Sequence, residues 1–334
     1  MKAYIKAISY YLPENILTNE ELVEIFPEWN VEKIALKVGI NKRYISDEKE
    51  TAVDMAVKAS RKLFLEHNIN KDEIDFILLC TQSPDYFLPT SACIVQDMLD
   101  MPTAIGALDF NLGCSGYIYG LSLAKGLIVS GTAKNVLLIT SETYTKKIHP
   151  QDKGNRSIFS DAATASLISD HGFASIENFK LGTDGSGFDN LILKSGCFRE
   201  PAKQNDTFFD SNGNPLSSDY IRMNGSEIFN FTIDVIPNLI KNTLKANRLE
   251  ISDIGLFIFH QANKFMLDFL RKKIGISSDI FFTYLSEVGN TVSSTIPIAI
   301  YNAKKEGKLF EKKILLSGFG VGYSYGAVVI NTKK

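Results

Sequence analysis

The 334-residue chain has no run of 18 apolar residues, so nothing in it reads as a membrane-spanning helix. Its first residues, MKAYIKAISYYLPEN, are broken by Lys, Ser and Pro where a secretion signal needs an unbroken apolar stretch, and a cytoplasmic chain is expected. Cysteine is scarce. Cys80, Cys93, Cys114 and Cys197 include no CxxC pair, which excludes a disulfide framework and a zinc site; no metal is expected. An excess of one charge is lacking too: 36 Lys plus Arg stand against 38 Asp plus Glu, too even a balance to grip a nucleic acid. No low-complexity linker divides the chain. The loosest stretch, Phe198 to Asp219 with Pro201, Asn212, Gly213 and Pro215, reads as a long excursion.

What is present is an ordinary globular mixture, 45% hydrophobic and 22% charged, long enough for two domains or one duplicated one. A faint internal repeat favours duplication. Ile74–Thr81 resembles Ile254–Gln261, and both segments read as buried strands. Gly113-Cys114 follows the first and Gly289-Asn290 the second at similar spacing, each opening a helix-like segment. A further apolar strand then comes in each half, Asn135–Thr140 and Lys313–Ser317. Strand, helix and strand alternating twice predict two fused α/β halves, 1–174 and 175–334, with mostly parallel sheets. Ligands in such sheets gather at strand ends and helix starts, where Cys114, His260 and Asn290 all fall.

Cys114 is flanked by small residues just ahead of a helical pattern. The N–H groups of a helix start lower a thiol's pKa, so a thiolate is expected there, with backbone amides able to hold an oxyanion. Cys80 lies inside an apolar strand, and neither Cys93 nor Cys197 is accompanied by a helix start or a histidine; all three are expected to be inert. Of four histidines, His67, His149 and His171 read as solvated, whereas His260 ends the apolar run Phe257–Phe259, where burial would keep the ring neutral. Asn290 alone could be a helix cap. With no carboxylate evident beside His260, a neutral His and an Asn form a pair of donors, which suits enolate chemistry better than hydrolysis. The runs Gly318–Gly322 and Thr183–Gly187 match neither a P-loop nor a dinucleotide fingerprint and read as tight turns near a ligand.

These residues resemble the thiolase-fold condensing enzymes, and among them the β-ketoacyl-acyl carrier protein synthase III family. The likeness is carried by Tyr11–Asn15, Gly39-Ile40, Pro89–Cys93, Gly113–Tyr117, Met223–Phe229, His260–Asn263, Gly289–Thr291 and Leu316–Gly322, and so spans nearly the whole chain. It implies a five-layered αβαβα fold of two duplicated halves. It also implies an acyl-accepting Cys114, an oxyanion hole of the Cys114 and Val321 amides, and His260 and Asn290 on the carbonyl of a malonyl-type extender. Phe319 matches an aromatic beside the decarboxylating carboxylate, Asn263 and Gly225 match the pantetheine tunnel, and Leu88 and Met223 would border the acyl pocket. No cofactor is implied beyond the CoA or phosphopantetheine of the substrates: acyl-CoA or acyl-ACP, and malonyl-ACP. Arg271, Lys272 and Lys273 would meet an acidic carrier protein, and a homodimer whose pocket borrows a residue from its partner is implied.

Several positions depart from the family pattern. Where a Trp and an Arg sandwich the CoA adenine, this chain has Lys33 to Lys37 with Trp29 displaced, and Lys153 takes the second Arg position. Phe265 and Asn230 replace basic carrier-facing residues, and Val321 replaces a glycine. The same fold supports acyl transfer to oxygen or nitrogen, and it supports non-catalytic partner subunits. The complete Cys114, His260 and Asn290 set favours an active condensing enzyme over the latter.

Overall fold

The computed structural model describes residues 2–210 and 213–333, with Lys33 described by its backbone alone; Asn212, within the loose stretch, lies outside the described residues. Ten strands form the main sheet system. They are β1 (Tyr4–Tyr11), β2 (Phe76–Cys80), β3 (Gly106–Phe110), β4 (Asn135–Glu142), β5 (Ala162–Ser169), β6 (Ala174–Thr183), β7 (Leu256–Phe259), β8 (Phe281–Phe282), β9 (Lys313–Gly320) and β10 (Ser324–Thr332). Six helices pack on them: α1 (Ala52–His67), α2 (Ser91–Met98), α3 (Gly116–Val129), α4 (Gly225–Ala246), α5 (Lys264–Ile274) and α6 (Thr295–Lys305).

The first half runs in the order β3-β2-β4-β5-β1 and the second in the order β8-β7-β9-β10-β6. Pairing directions match throughout. β2 is parallel to β3 and β4, as β7 is to β8 and β9; β4–β5, β5–β1, β9–β10 and β10–β6 are antiparallel. The two halves are joined through β1 and β6, which share only the pairs Tyr4–Ser175 and Ile5–Ala174. The expected division after residue 174 falls at the start of β6.

Side-chain packing sets the layers. One core joins α1 and α2 to the first half-sheet through Val53, Ala56, Leu63, Val95, Ile77 and Leu137. A central core places α3 and α6 between the half-sheets, with Ile118, Leu121, Ile296 and Ile300 against Leu78, Leu138, Ile258 and Leu316. A third joins α4 and α5 to the outer face of the second half-sheet. The result is the five-layered α/β arrangement, and it explains the composition of α3, GYIYGLSLAKGLIV, which is apolar on nearly every face because sheets cover it on two sides. Surface helices instead carry polar stops: α1 starts with a capping box between Thr51 and Asp54 and ends at Asn68 in the left-handed conformation. No helix among the described residues is long and apolar enough to cross a membrane.

Candidate active site

Cys114 sits on the turn between β3 and α3 and is only 5% exposed. The turn is held by close packing on both sides. Beneath it, the Cys80 thiol donates to the Leu112 carbonyl at 2.9 Å and fills the space a Gly116 side chain would need. Above it, β9 passes so near that a methyl group on Gly318 would lie 2.8 Å from the Cys114 carbonyl oxygen, and one on Gly320 3.0 Å from Sγ. These two glycines were expected in a turn. They lie in a strand instead, because a strand backed directly by the nucleophile turn leaves no room for a Cβ.

Ser115 Oγ and Ser324 Oγ lie 2.5 Å apart, and Ser324 Oγ donates to the Val321 carbonyl at 3.0 Å, which pins the chain after β9 to the nucleophile turn. The N–H groups of Val321 and of Cys114 itself both support the sulfur. The expected thiolate is nevertheless overturned: burial pushes the thiol up to about 12, and the charge of Glu142 adds to the rise, outweighing the two N–H groups. At rest the nucleophile is a thiol.

His260 directly follows β7. Its main-chain N–H donates to Ser317 at 2.7 Å, which fixes it beside β9, and its ring meets Phe319 edge-on at 5.9 Å between centroids. The ring is 2% exposed, and burial lowers its pKa to about 3, so it is neutral. Nδ1 lies 2.8 Å from Thr295 Oγ1. Asn290 is fixed by three hydrogen bonds: its N–H donates to Ile158 at 3.0 Å, its carbonyl accepts from Ser160 at 3.0 Å, and its Oδ1 accepts from the Val292 N–H at 2.9 Å. The Val292 carbonyl lies 3.0 Å from the same Thr295 Oγ1, closing a path of contacts from Asn290 to His260. When the Thr295 hydroxyl turns its one proton to Nδ1, the hydrogen of the neutral ring sits on Nε2, and Nε2 and the Asn290 amide nitrogen are then the groups able to donate to a ligand. Cys114, His260 and Asn290 thus converge around β9 and the turn that starts α6.

A cavity of about 270 Å³ adjoins Val321 and is lined by Gln82, Asn111, Tyr144, Leu191 and Cys197 among others. Cys197 was set aside in the sequence because nothing local marks it; the excursion after β6 carries it there. Met223 lies in a short strand paired with Leu191–Ile192 and packs on the core around the site. Phe319 is buried against His260. Asn263 caps α5, its Oδ1 accepting from the Met266 N–H at 2.9 Å. The remaining residues lie farther out. Gly225 opens α4 with open space around its Cα, Leu88 is 86% exposed, and Lys37 is exposed on the helix Val31–Val38. Lys153 is ion-paired with Glu28. Arg271 donates to the Ile276 carbonyl at 3.0 Å and so closes α5, while Lys272 and Lys273 are exposed. His149, expected in solvent, packs edge-on against Tyr220 at 4.8 Å. Sequence reasoning missed Thr295 and Glu142 as neighbours of the site. Among the described residues no three His, Cys, Asp or Glu are grouped to hold a metal ion.

Comparison with known proteins identifies the chain's family. Residues 108–185 match the family model described as 3-oxoacyl-[acyl-carrier-protein (ACP)] synthase III, and residues 244–332 match the model of its C-terminal part. The chain is 38% identical to the beta-ketoacyl-[acyl-carrier-protein] synthase III of Clostridium perfringens, over 96% of each chain. It is 45% identical to a solved 3-oxoacyl-(acyl-carrier-protein) synthase III with a TM-score of 0.96, covering 99% of this chain and all of the other. A 3-oxoacyl-(acyl-carrier protein) synthase from Burkholderia xenovorans gives 34% identity and a TM-score of 0.90, covering 100% of this chain and 95% of that one. The chain belongs to the beta-ketoacyl-[acyl-carrier-protein] synthase III family, condensing enzymes of the acyltransferase class.

Proposed function

We propose that Cys114 takes an acyl group from an acyl-CoA or acyl-ACP and condenses it with malonyl-ACP, giving a β-ketoacyl thioester. In the first step the thiol of Cys114 adds to the donor carbonyl, whose oxyanion is held by the N–H groups of Cys114 and Val321. The thiol proton leaves with the donor's thiolate. In the second step the malonyl thioester loses CO₂, and the electron pair of the broken C–C bond passes to an enolate. His260 Nε2 and Asn290 Nδ2 donate to the enolate oxygen, and Phe319 offers the departing carboxylate an apolar neighbour. The enolate carbon attacks acyl-Cys114, a C–C bond forms, and the released thiolate takes a proton from solvent.

The observation that carries this reading is the partner of His260. A histidine that activates a cysteine for hydrolysis is held by a carboxylate or amide orienter; here Nδ1 meets the hydroxyl of Thr295 and burial keeps the ring neutral. A neutral imidazole beside an Asn amide stabilises negative charge on oxygen.

The reaction needs no cofactor beyond the pantetheine its substrates carry, and a cytoplasmic setting suits the free thiols. Lys272 and Lys273 offer an acidic carrier protein a basic approach at the end of α5. Tyr86, Phe87, Leu88 and Phe198 form an exposed apolar group, Phe87 and Phe198 with ring centroids 5.6 Å apart, which suits a homodimer interface. Trp29 is displaced from the position of the family's adenine-stacking Trp, and Lys153, at the position of its second Arg, is engaged by Glu28, which favours carrier-bound donors over CoA.

The test is intact-protein mass spectrometry after exposure to acyl-CoAs and acyl carrier thioesters, followed by a malonyl-carrier chase. Acylation at Cys114 that discharges with CO₂ into a β-ketoacyl product is expected, and Cys114→Ala abolishes it. His260→Ala and Asn290→Ala keep acylation and lose condensation by about a hundredfold or more, the scale of removing an oxyanion donor. Acylation without malonyl discharge in the unaltered protein would instead mean transfer to another nucleophile.

A further inference from the structure

Glu142 ends β4, is fully buried, and has no part in the steps above. Both carboxylate oxygens lie 3.1 Å from the Gln82 N–H, Ser83 Oγ donates at 3.0 Å, and Ser293 Oγ lies 3.4 Å away. Among the described residues it has no cationic partner. Burial pushes its pKa up to about 8. A buried acid without a counter-charge is costly, and a glutamine or an apolar residue would cost less for folding alone.

Its partners lie in both halves of the molecule. Gln82 and Ser83 follow β2. Gln82 Oε1 accepts from Tyr144 Oη and occupies the space over Gly113, where a methyl group would come within 2.6 Å of it; Gln82 Nε2 donates to Asn111 at 2.8 Å. These residues form the mount of the nucleophile turn. Ser293 belongs to the other half, in the turn Val292–Ser294 whose N–H and carbonyl groups hold Asn290 and Thr295. One carboxyl group therefore touches the support of Cys114 and the support of the two enolate donors.

We propose that Glu142 is a positioning residue for condensation, a clamp that keeps the Gln82–Ser83 turn behind Cys114 in register with the Ser293 turn behind Asn290. The proposal rests on the condensing function above. It predicts two separable effects, because the clamp acts on geometry while the charge of Glu142 acts on the nearby thiol.

The experiment compares Glu142→Gln and Glu142→Asp in the full chain by melting temperature, iodoacetamide alkylation of Cys114 from neutral to alkaline pH, and malonyl discharge of pre-acylated enzyme. In E142Q the thiol is freed from an acid whose pKa burial pushes up to about 8, so alkylation is little changed near neutrality and rises at alkaline pH, by up to about tenfold for each pKa unit moved. Acyl-Cys114 still forms, but malonyl discharge falls about tenfold in kcat with KM little changed, as for a donor pair moved out of line. E142D keeps the charge but is one methylene short, so it restores the alkylation profile and not the discharge rate. Wild-type discharge in E142Q at an unchanged melting temperature overturns the proposal; so does a uniform loss of acylation and discharge that tracks a fall in melting temperature. If the unaltered enzyme fails to discharge with malonyl thioester, it is the condensing function that fails, whereas failure confined to the variants' pattern sinks the clamp alone.

Discussion

Gly320 marks how little freedom the nucleophile has. A Cβ there would sit 2.9 Å from Cys114 Cβ and 3.0 Å from Sγ, so Gly320→Ala must swing the sulfur away from the N–H groups of Val321 and Cys114. Acylation should slow by about a hundredfold, the usual consequence of a displacement near 1 Å, while overpacking costs stability about 1–3 kcal/mol. Time-resolved intact-mass acylation and a thermal melt separate the two effects; acylation at the wild-type rate would show that the sulfur adapts. At this scale the sequence was informative where chemistry has a local mark. Cys114 before a helix and His260 after an apolar strand could both be read directly. The protonation state of Cys114 could not, because it depends on burial by β9 and on Glu142, residues far away in the chain. Cys197 and Thr295 were missed for the same reason.

Helix α5 shows one residue serving two purposes. Asn263 Oδ1 caps the helix through the Met266 N–H, which leaves its amide nitrogen for the pantetheine arm that the family likeness assigns to this position. Asn263→Ala should therefore cost about 1 kcal/mol of stability, whereas Asn263→Ser keeps an acceptor at the cap and loses only the amide. Melting temperature should fall in the alanine variant and recover in the serine variant, while KM for malonyl-ACP rises in both; an unchanged KM would confine Asn263 to capping. Elements differed in how legible they were. β2, β4, β7 and β9 announce themselves as apolar runs bounded by polar residues. β5, AATASLIS, does not: all eight of its residues are buried, but many are small or hydroxylated because helices and neighbouring strands press on both faces. The two-residue β8 is too short for any periodicity, and the glycines of β9 look like a turn until the nucleophile is placed against them.

The duplication extends further than its sequence trace. Only two strand pairs and the openings of two helices were recognisable in the chain, yet all five strands of each half correspond in order and direction. The reason is that the halves diverged where each supplies different chemistry, a thiol in one and two donors in the other, and kept only the apolar pattern that both sheets need. Among the large apolar side chains the duplicated fold leaves exposed, Phe87, Leu88 and Phe198 are 62%, 86% and 90% exposed and form one surface group. Water is a poor neighbour for such a group, and a second copy of the chain covers it in the homodimer proposed above. A standard interface has its energy concentrated in a few central aromatic or aliphatic residues, so Phe87→Asp with Leu88→Asp should weaken association by about 2 kcal/mol or more, roughly thirtyfold in Kd. Sedimentation at falling concentration should then show the variant dissociating where the unaltered protein stays dimeric. Acylation of Cys114 by short donors should survive in the monomer, because every group of the acylation step belongs to one chain, whereas discrimination between chain lengths should suffer if the pocket borrows a partner side chain. A variant that stays dimeric with unchanged selectivity would place the interface elsewhere and leave this patch to another protein.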